Sequence, residues 1–89
     1  MAYGYEWDET KREANLAKHG IDFSEVERFE PRASVVVPDH RRDYGEDRFR
    51  AYFRMDGEGR ALTFTWRGQR IRVISLRRAR EREMRRYGL

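Results

Sequence analysis

Apolar and polar residues alternate from Arg48 to Met55. Phe49, Ala51, Phe53 and Met55 fall on one side and Arg48, Arg50, Tyr52 and Arg54 on the other, which predicts a half-buried strand. Asp56-Gly57-Glu58-Gly59 then reads as a hairpin turn, so the apolar run Ala61 to Trp66 is expected to return antiparallel. Arg67-Gly68-Gln69-Arg70 predicts a second hairpin, leading into Ile71 to Leu76. Upstream, Tyr3-Gly4-Tyr5-Glu6-Trp7 has the period of a short strand, and Ser34-Val35-Val36-Val37 is a β-branched run ended by Pro38. Between them, Asp8 is a candidate N-cap for a helix through about Lys18, with Ala14, Leu16 and Ala17 as a modest apolar stripe and Gly20 as the stop. Ser24-Glu25-Val26-Glu27 has the form of a capping box opening a second, short helix that ends before Pro31. Beyond Arg77, the spacing of Ala79, Arg80, Glu83, Met84 and Tyr87 suits a C-terminal helix in which Glu83 can pair with Arg80 or Arg86. Asp39 to Asp47, holding His40, Arg41 and Arg42, is a polar loop of a length often tied to function.

These elements predict an α+β domain over residues 1–89: a short strand, two helices, an antiparallel meander of about four strands, and a helix. Leu62, Phe64, Trp66, Ile74 and Leu76 are assigned to the packing of the sheet. One sheet face is expected to cover the two early helices. The other is expected to be a shallow concave surface edged by Arg48, Arg67 and Arg77.

Composition narrows the function classes. A chain of 89 residues has room for only a thin core, which 13% aromatic residues help to fill despite 40% charged ones. Without cysteine, and with only His19 and His40 as histidines, neither a disulfide framework nor a zinc cage is expected, and no cofactor or metal is called for. The chain has no basic leader followed by an apolar run and no membrane-length apolar stretch, so a soluble, cytoplasmic protein is expected.

The net charge of +4 conceals a gradient. Residues 1–30 carry four basic and eight acidic side chains, whereas residues 61–89 carry nine and two. All basic residues but Lys11 and Lys18 are arginine, whose planar fork suits bidentate contact with phosphate. The last third of the chain therefore points to a polyanion.

Tyr5-Glu6-Trp7-Asp8, Lys11, Asn15 and Lys18-His19-Gly20-Ile21 with Phe23 resemble the opening signature of the BrnT toxin family. Glu46-Asp47-Arg48-Phe49, Gly59-Arg60, Thr65 with Arg67-Gly68, Arg72-Val73-Ile74-Ser75, Arg77-Arg78-Ala79, Glu83 and Tyr87 are similar to the family's later blocks, in order. The chain departs from the family pattern at Tyr52-Phe53 and at Ser75-Leu76-Arg77. The resemblance implies a RelE-like fold and a ribonuclease that stops translation. It also implies a BrnA-type antitoxin with a ribbon-helix-helix DNA-binding domain, through which alone operator DNA would be met.

Cleaving RNA without a metal requires a group to take the 2′-hydroxyl proton, another to protonate the leaving oxygen, and cations to stabilise the charge that develops on phosphorus. Arg67 and Arg77, each at a strand end, are the leading cations and are expected to converge on one phosphate. Glu46 and His19 are candidates for the acid–base roles, although capping is the usual role of a histidine at a helix C-terminus. Arg48, Lys18 and Tyr87 are candidate RNA contacts, with core packing as the competing role for Tyr87. A non-enzymatic module that binds nucleic acid or a protein through the same basic surface is the alternative function.

Overall fold

The computed structural model describes residues 4–41 and 43–89. Tyr3, expected to begin the first strand, and Arg42, expected in the polar loop, lie outside the described residues. In chain order the elements are β1 (Gly4–Glu6), α1 (Glu9–His19), a 3₁₀ segment (Phe23–Arg28), a 3₁₀ turn (Pro31–Ala33), β2 (Val35–Pro38), β3 (Phe49–Met55), β4 (Glu58–Arg67), β5 (Arg70–Arg78) and α2 (Glu81–Arg86). The α+β class expected from the pattern is present, as a single five-stranded sheet of order β1-β5-β4-β3-β2. The meander β2 to β5 is antiparallel, but β1 joins the β5 edge in parallel, which makes the sheet mixed.

Both hairpins are tighter than expected. Met55 pairs with Glu58, so only Asp56 and Gly57 turn the chain, both at positive φ (53° and 84°) as a two-residue hairpin of the primed kind requires. Glu58 and Gly59 belong to β4. Gly59 is needed there for space, because a Cβ would stand 2.7 Å from the Ala79 carbonyl and 2.8 Å from Met84 Cγ. Gly59→Ala should therefore lever α2 off the sheet and lower stability by about 1–3 kcal/mol in urea melts. A change below about 0.5 kcal/mol would show that α2 has room to shift.

Asp8 caps α1 as expected, accepting from the backbone N–H groups of Thr10 (2.8 Å) and Lys11 (3.2 Å), and Gly20 ends it at φ 71°. The expected apolar stripe does not form: Leu16 is 41% exposed, Ala14 and Ala17 are exposed, and the buried residue of α1 is Asn15. Asn15 Nδ2 donates to the carbonyls of Ile21 (3.0 Å) and Leu76 (2.8 Å), and Oδ1 accepts from Leu76 N–H (3.2 Å). β1 pairs only with residues 70–72 of β5, so beyond it the Asn15 amide satisfies the strand edge much as another strand would. The second helix also differs from expectation. It is a 3₁₀ segment capped by Asp22, whose carboxylate accepts from Ser24 N–H at 2.9 Å, and not by Ser24. Asp22 competes better because it also binds Arg12, at 2.9 Å, and so ties the segment to α1.

The main core lies between the sheet and the α1/3₁₀ layer, built on Phe23, Val26, Phe53, Leu62, Phe64 and Leu76 among others. Of the five residues assigned to sheet packing, Leu62, Phe64 and Leu76 are buried, Trp66 is 43% exposed at the end of β4, and Ile74 is only partly buried. The physical reason at Ile74 is a bulge. Thr63 pairs with Ser75 but Phe64 pairs with Val73, leaving Ile74 as an extra residue in β5. The inward set is thus Ile71, Val73 and Leu76, not an unbroken alternation. On the opposite face α2 covers part of the sheet through a smaller cluster of Tyr52, Ala61, Ala79 and Met84.

Candidate functional site

The face that α2 partly covers carries the polar side of β3, the Thr63 and Thr65 side of β4 and, because of the bulge, Ser75 and Arg77 of β5. One row across it reads Val35, Tyr52, Ala61, Arg77. Ala61 lies buried between Tyr52 and Arg77 in that row, under the cluster that α2 forms with Tyr52, Ala79 and Met84. Tyr52 is buried under Tyr87, the two rings stacked with centroids 4.3 Å apart and planes 20° from parallel. The Tyr52 hydroxyl accepts from Arg50 Nη1 at 2.9 Å. Burial is the main reason its pKa lies above the ordinary phenol value, with the Arg50 charge working against the shift.

Arg77 is held at both ends of its fork, Nη2 to Glu83 Oε1 at 2.9 Å and Nη1 to Glu83 Oε2 at 3.1 Å. Oε2 also accepts from Arg80 N–H at 2.9 Å, which opens α2. The pairing expected of Glu83 with Arg80 or Arg86 side chains is therefore replaced by a bond to a strand residue and a backbone N–H. The Arg77 hydrogen bonds, against the opposing effect of burial, bring the Glu83 carboxyl down to about 2. A carboxylate so acidic is a clamp and not a proton acceptor at neutral pH. Beside this group Asp39 is buried, with Arg41 Nε and Nη2 each 2.7 Å from its oxygens and Arg50 Nε 4.0 Å away. The Arg41 hydrogen bonds hold its carboxyl well below the usual carboxylate range.

Of the site residues expected from sequence, the structure brings Arg77 and Tyr87 onto this face. His19 is half-buried at the end of α1, and its pKa is lowered by burial first and then by the charges of Lys18 and Arg77. The last of these causes places His19 within electrostatic reach of Arg77. Lys18 is exposed beside it.

Glu46, Arg48 and Arg67 form a separate group. Glu46 lies 3.2 Å from Arg48 and 3.4 Å from Arg67, and the Arg48 guanidinium sits 4.0 Å from the centroid of the Tyr44 ring. The expected convergence of Arg67 and Arg77 does not occur. Arg67 pairs with Arg70 at the far end of the β4–β5 hairpin, whereas Arg77 pairs with Ala61. Six residues of strand put them roughly 20 Å apart, too far to share a phosphate. The expectation treated both as strand ends, but they are opposite ends of one hairpin.

A cleft of about 400 Å³ beside Arg48 is lined by Asp39, Asp43, Glu46 and Asp47 with His40, so its charge is wrong for a phosphate. No group of three or more metal-ligating side chains occurs among the described residues, and no described helix is long and apolar enough to cross a membrane.

Arg50, Tyr52, Asp39 and the Glu83 clamp were not among the sequence candidates. The signal for the first two was the alternation of β3, which already put Arg48, Arg50, Tyr52 and Arg54 on one side.

A mixed five-stranded sheet with an arginine-bearing face clamped by carboxylates defines a small, basic α+β protein. A family model described as the ribonuclease toxin, BrnT, of type II toxin-antitoxin systems matches residues 7–83. The chain therefore belongs to the BrnT family of ribonuclease toxins. It is also similar to the crystal structure of the Brucella abortus ribonuclease toxin BrnT, at 32% identity and a TM-score of 0.75, over 88% of this chain and 97% of that one. A comparison with curated proteins returns no match. A type II system pairs such a toxin with an antitoxin, so RNA and an antitoxin are its counterparts.

Proposed function

We propose that this chain is a metal-independent endoribonuclease of RelE-like kind, acting in the cytoplasm, that stops translation by cutting RNA and is neutralised by a BrnA-type antitoxin. The observation that carries the proposal is Arg77. Its fork is fixed by both Glu83 oxygens on an open sheet face, next to the Tyr52–Tyr87 stack and within electrostatic reach of His19.

In this reading Arg77 stabilises the charge developing on phosphorus, its orientation already set before RNA arrives. His19, whose lowered pKa keeps it neutral at ordinary pH, takes the 2′-hydroxyl proton. Tyr87 stacks against a base or donates to the leaving oxygen, and Lys18 contacts a phosphate beside His19. Arg67 and Arg48, paired with Glu46 and roughly 20 Å from Arg77 along the hairpin, do not share the reacting phosphate, and Glu46 is too far from Arg77 to act as its base. The antitoxin covers the arginine face with an acidic or amphipathic segment, and its ribbon-helix-helix domain makes the contacts with operator DNA.

The test is cleavage of RNA by purified protein in EDTA, followed from about pH 5.5 to 8. Wild type should cleave, with a rate that falls on the acid side as His19 takes up a proton, and His19→Gln should be slow and lack that acid limb. RNA bound tightly but left intact in EDTA would instead identify a non-enzymatic binding module.

A further inference from the structure

Ion pairing divides the arginines into two populations. Every described arginine from Arg41 to Arg78 lies within 4.0 Å of a carboxylate. Among the described residues, Arg32, Arg80, Arg82, Arg85 and Arg86 have no such partner, and the last four crowd one six-residue helix and its N-cap. Three of the four, Arg80, Arg82 and Arg86, line a cleft of about 370 Å³ with Arg77 and Glu83. Glu83 cannot neutralise them, because its oxygens already serve Arg77 and the Arg80 backbone. The positive charge of the sheet is thus largely cancelled in place, and three of the five described arginines left without a carboxylate partner are gathered beside Arg77.

Arg82 and Arg86 stand one helical turn apart, and like charges at that spacing work against a helix too short to hold itself. The arrangement makes sense when an anion lies across them. All five lining residues are charged, and no apolar side chain is present to anchor a protein segment. A sugar-phosphate backbone needs no such anchor, since counterion release drives its binding.

We propose that Arg80, Arg82 and Arg86 form a subsite for the backbone phosphates of single-stranded RNA next to the phosphate held at Arg77. This rests on the ribonuclease reading above, but it concerns binding and is tested without cleavage.

The probe is a fluorescent RNA made uncleavable by 2′-O-methylation, titrated with the full chain at several salt concentrations. For Arg82→Gln/Arg86→Gln the slope of log K against log salt should become shallower by about 1.4, two phosphate contacts at about 0.7 each for a single strand. Arg32→Gln/Arg85→Gln makes the same change in net charge outside the cleft and should alter the slope by less than half as much. An unchanged slope in the cleft variant overturns the subsite. So does an equal change in both pairs, which would mean diffuse attraction, or competition by polyglutamate as effective as RNA of equal charge, which would mean an acidic protein segment. Circular dichroism melts of both variants confirm that the fold is retained. Failure of wild type to cut unmodified RNA would sink the ribonuclease reading and leave the slope measurement intact, so the two failures are distinguishable.

Discussion

Arg77→Ala is expected to slow RNA cleavage by about 10²- to 10³-fold at saturating RNA, on the scale of losing one preorganised donor to a developing anion. The size follows from how Arg77 is held. A guanidinium fixed by two hydrogen bonds of 2.9 and 3.1 Å to one carboxylate spends little conformational freedom when RNA binds, so its remaining N–H donors are already aimed when the transition state forms. Arg77→Lys keeps the charge and loses the fork, and should recover only part of the rate. Glu83→Gln should cost less than Arg77→Ala, because the charge on Arg77 remains while its aim is loosened. Glu83 titrates near 2, below the ordinary carboxyl value, so the stability the clamp supplies is complete above the unfolded pKa and is lost only as pH falls through about 2. Any change in rate between about pH 5 and 8 therefore belongs to another group, and His19 is the one poised for it. Single-turnover cleavage with circular dichroism as a folding control measures these effects. A rate for Arg77→Ala within fivefold of wild type would remove Arg77 from the chemistry.

The largest stability effect is expected at Asn15. Asn15→Ala should destabilise the fold by about 3 kcal/mol, because it strands the N–H and C=O of Leu76 and the C=O of Ile21 in a buried position, at about 1–3 kcal/mol for each group left without a partner. For a domain of this size that corresponds to a fall in melting temperature of roughly 10–25 °C. Asn15→Asp keeps the shape and should be no better, since it removes both donated bonds and adds a buried charge. Urea denaturation decides the matter. A loss below about 1 kcal/mol would mean that water reaches the β5 edge and replaces the amide.

The readable parts of the fold were those encoded over a few residues. The alternation of β3, the Asp8 cap and the Gly20 stop appear where the pattern put them, and the two glycine-centred hairpins appear there with tighter turns. The parallel docking of β1 on β5 joins residues more than sixty positions apart and leaves no local trace. The grip of α1 on the sheet was misread because it depends on one buried amide and not on an apolar stripe. The helix arginines read only as general electrostatic attraction until ion pairing showed which guanidiniums the sheet had already neutralised. Arg77 was identifiable as a strand-end cation. Its partner Glu83 was not, since helical spacing suggested neighbours within α2 when the bond runs back to β5. The error with most consequence for the site was joining Arg67 to Arg77, two ends of a hairpin mistaken for neighbours.

The extra residue in β5 sets the phase of everything after it. Ile71 and Val73 face the core, and an uninterrupted strand would send Ser75 and Arg77 inward after them and turn Leu76 out to solvent. With Ile74 inserted, Leu76 goes to the core and Arg77 emerges on the open face opposite Ala61. The strand can thus accept many exchanges of side chain at Ile74 but not a change of length, because a one-residue deletion rotates the guanidinium to the wrong side of the sheet without altering a single functional residue. For this small protein the count of residues between Val73 and Arg77 is as much a determinant of the site as the identity of the arginine itself.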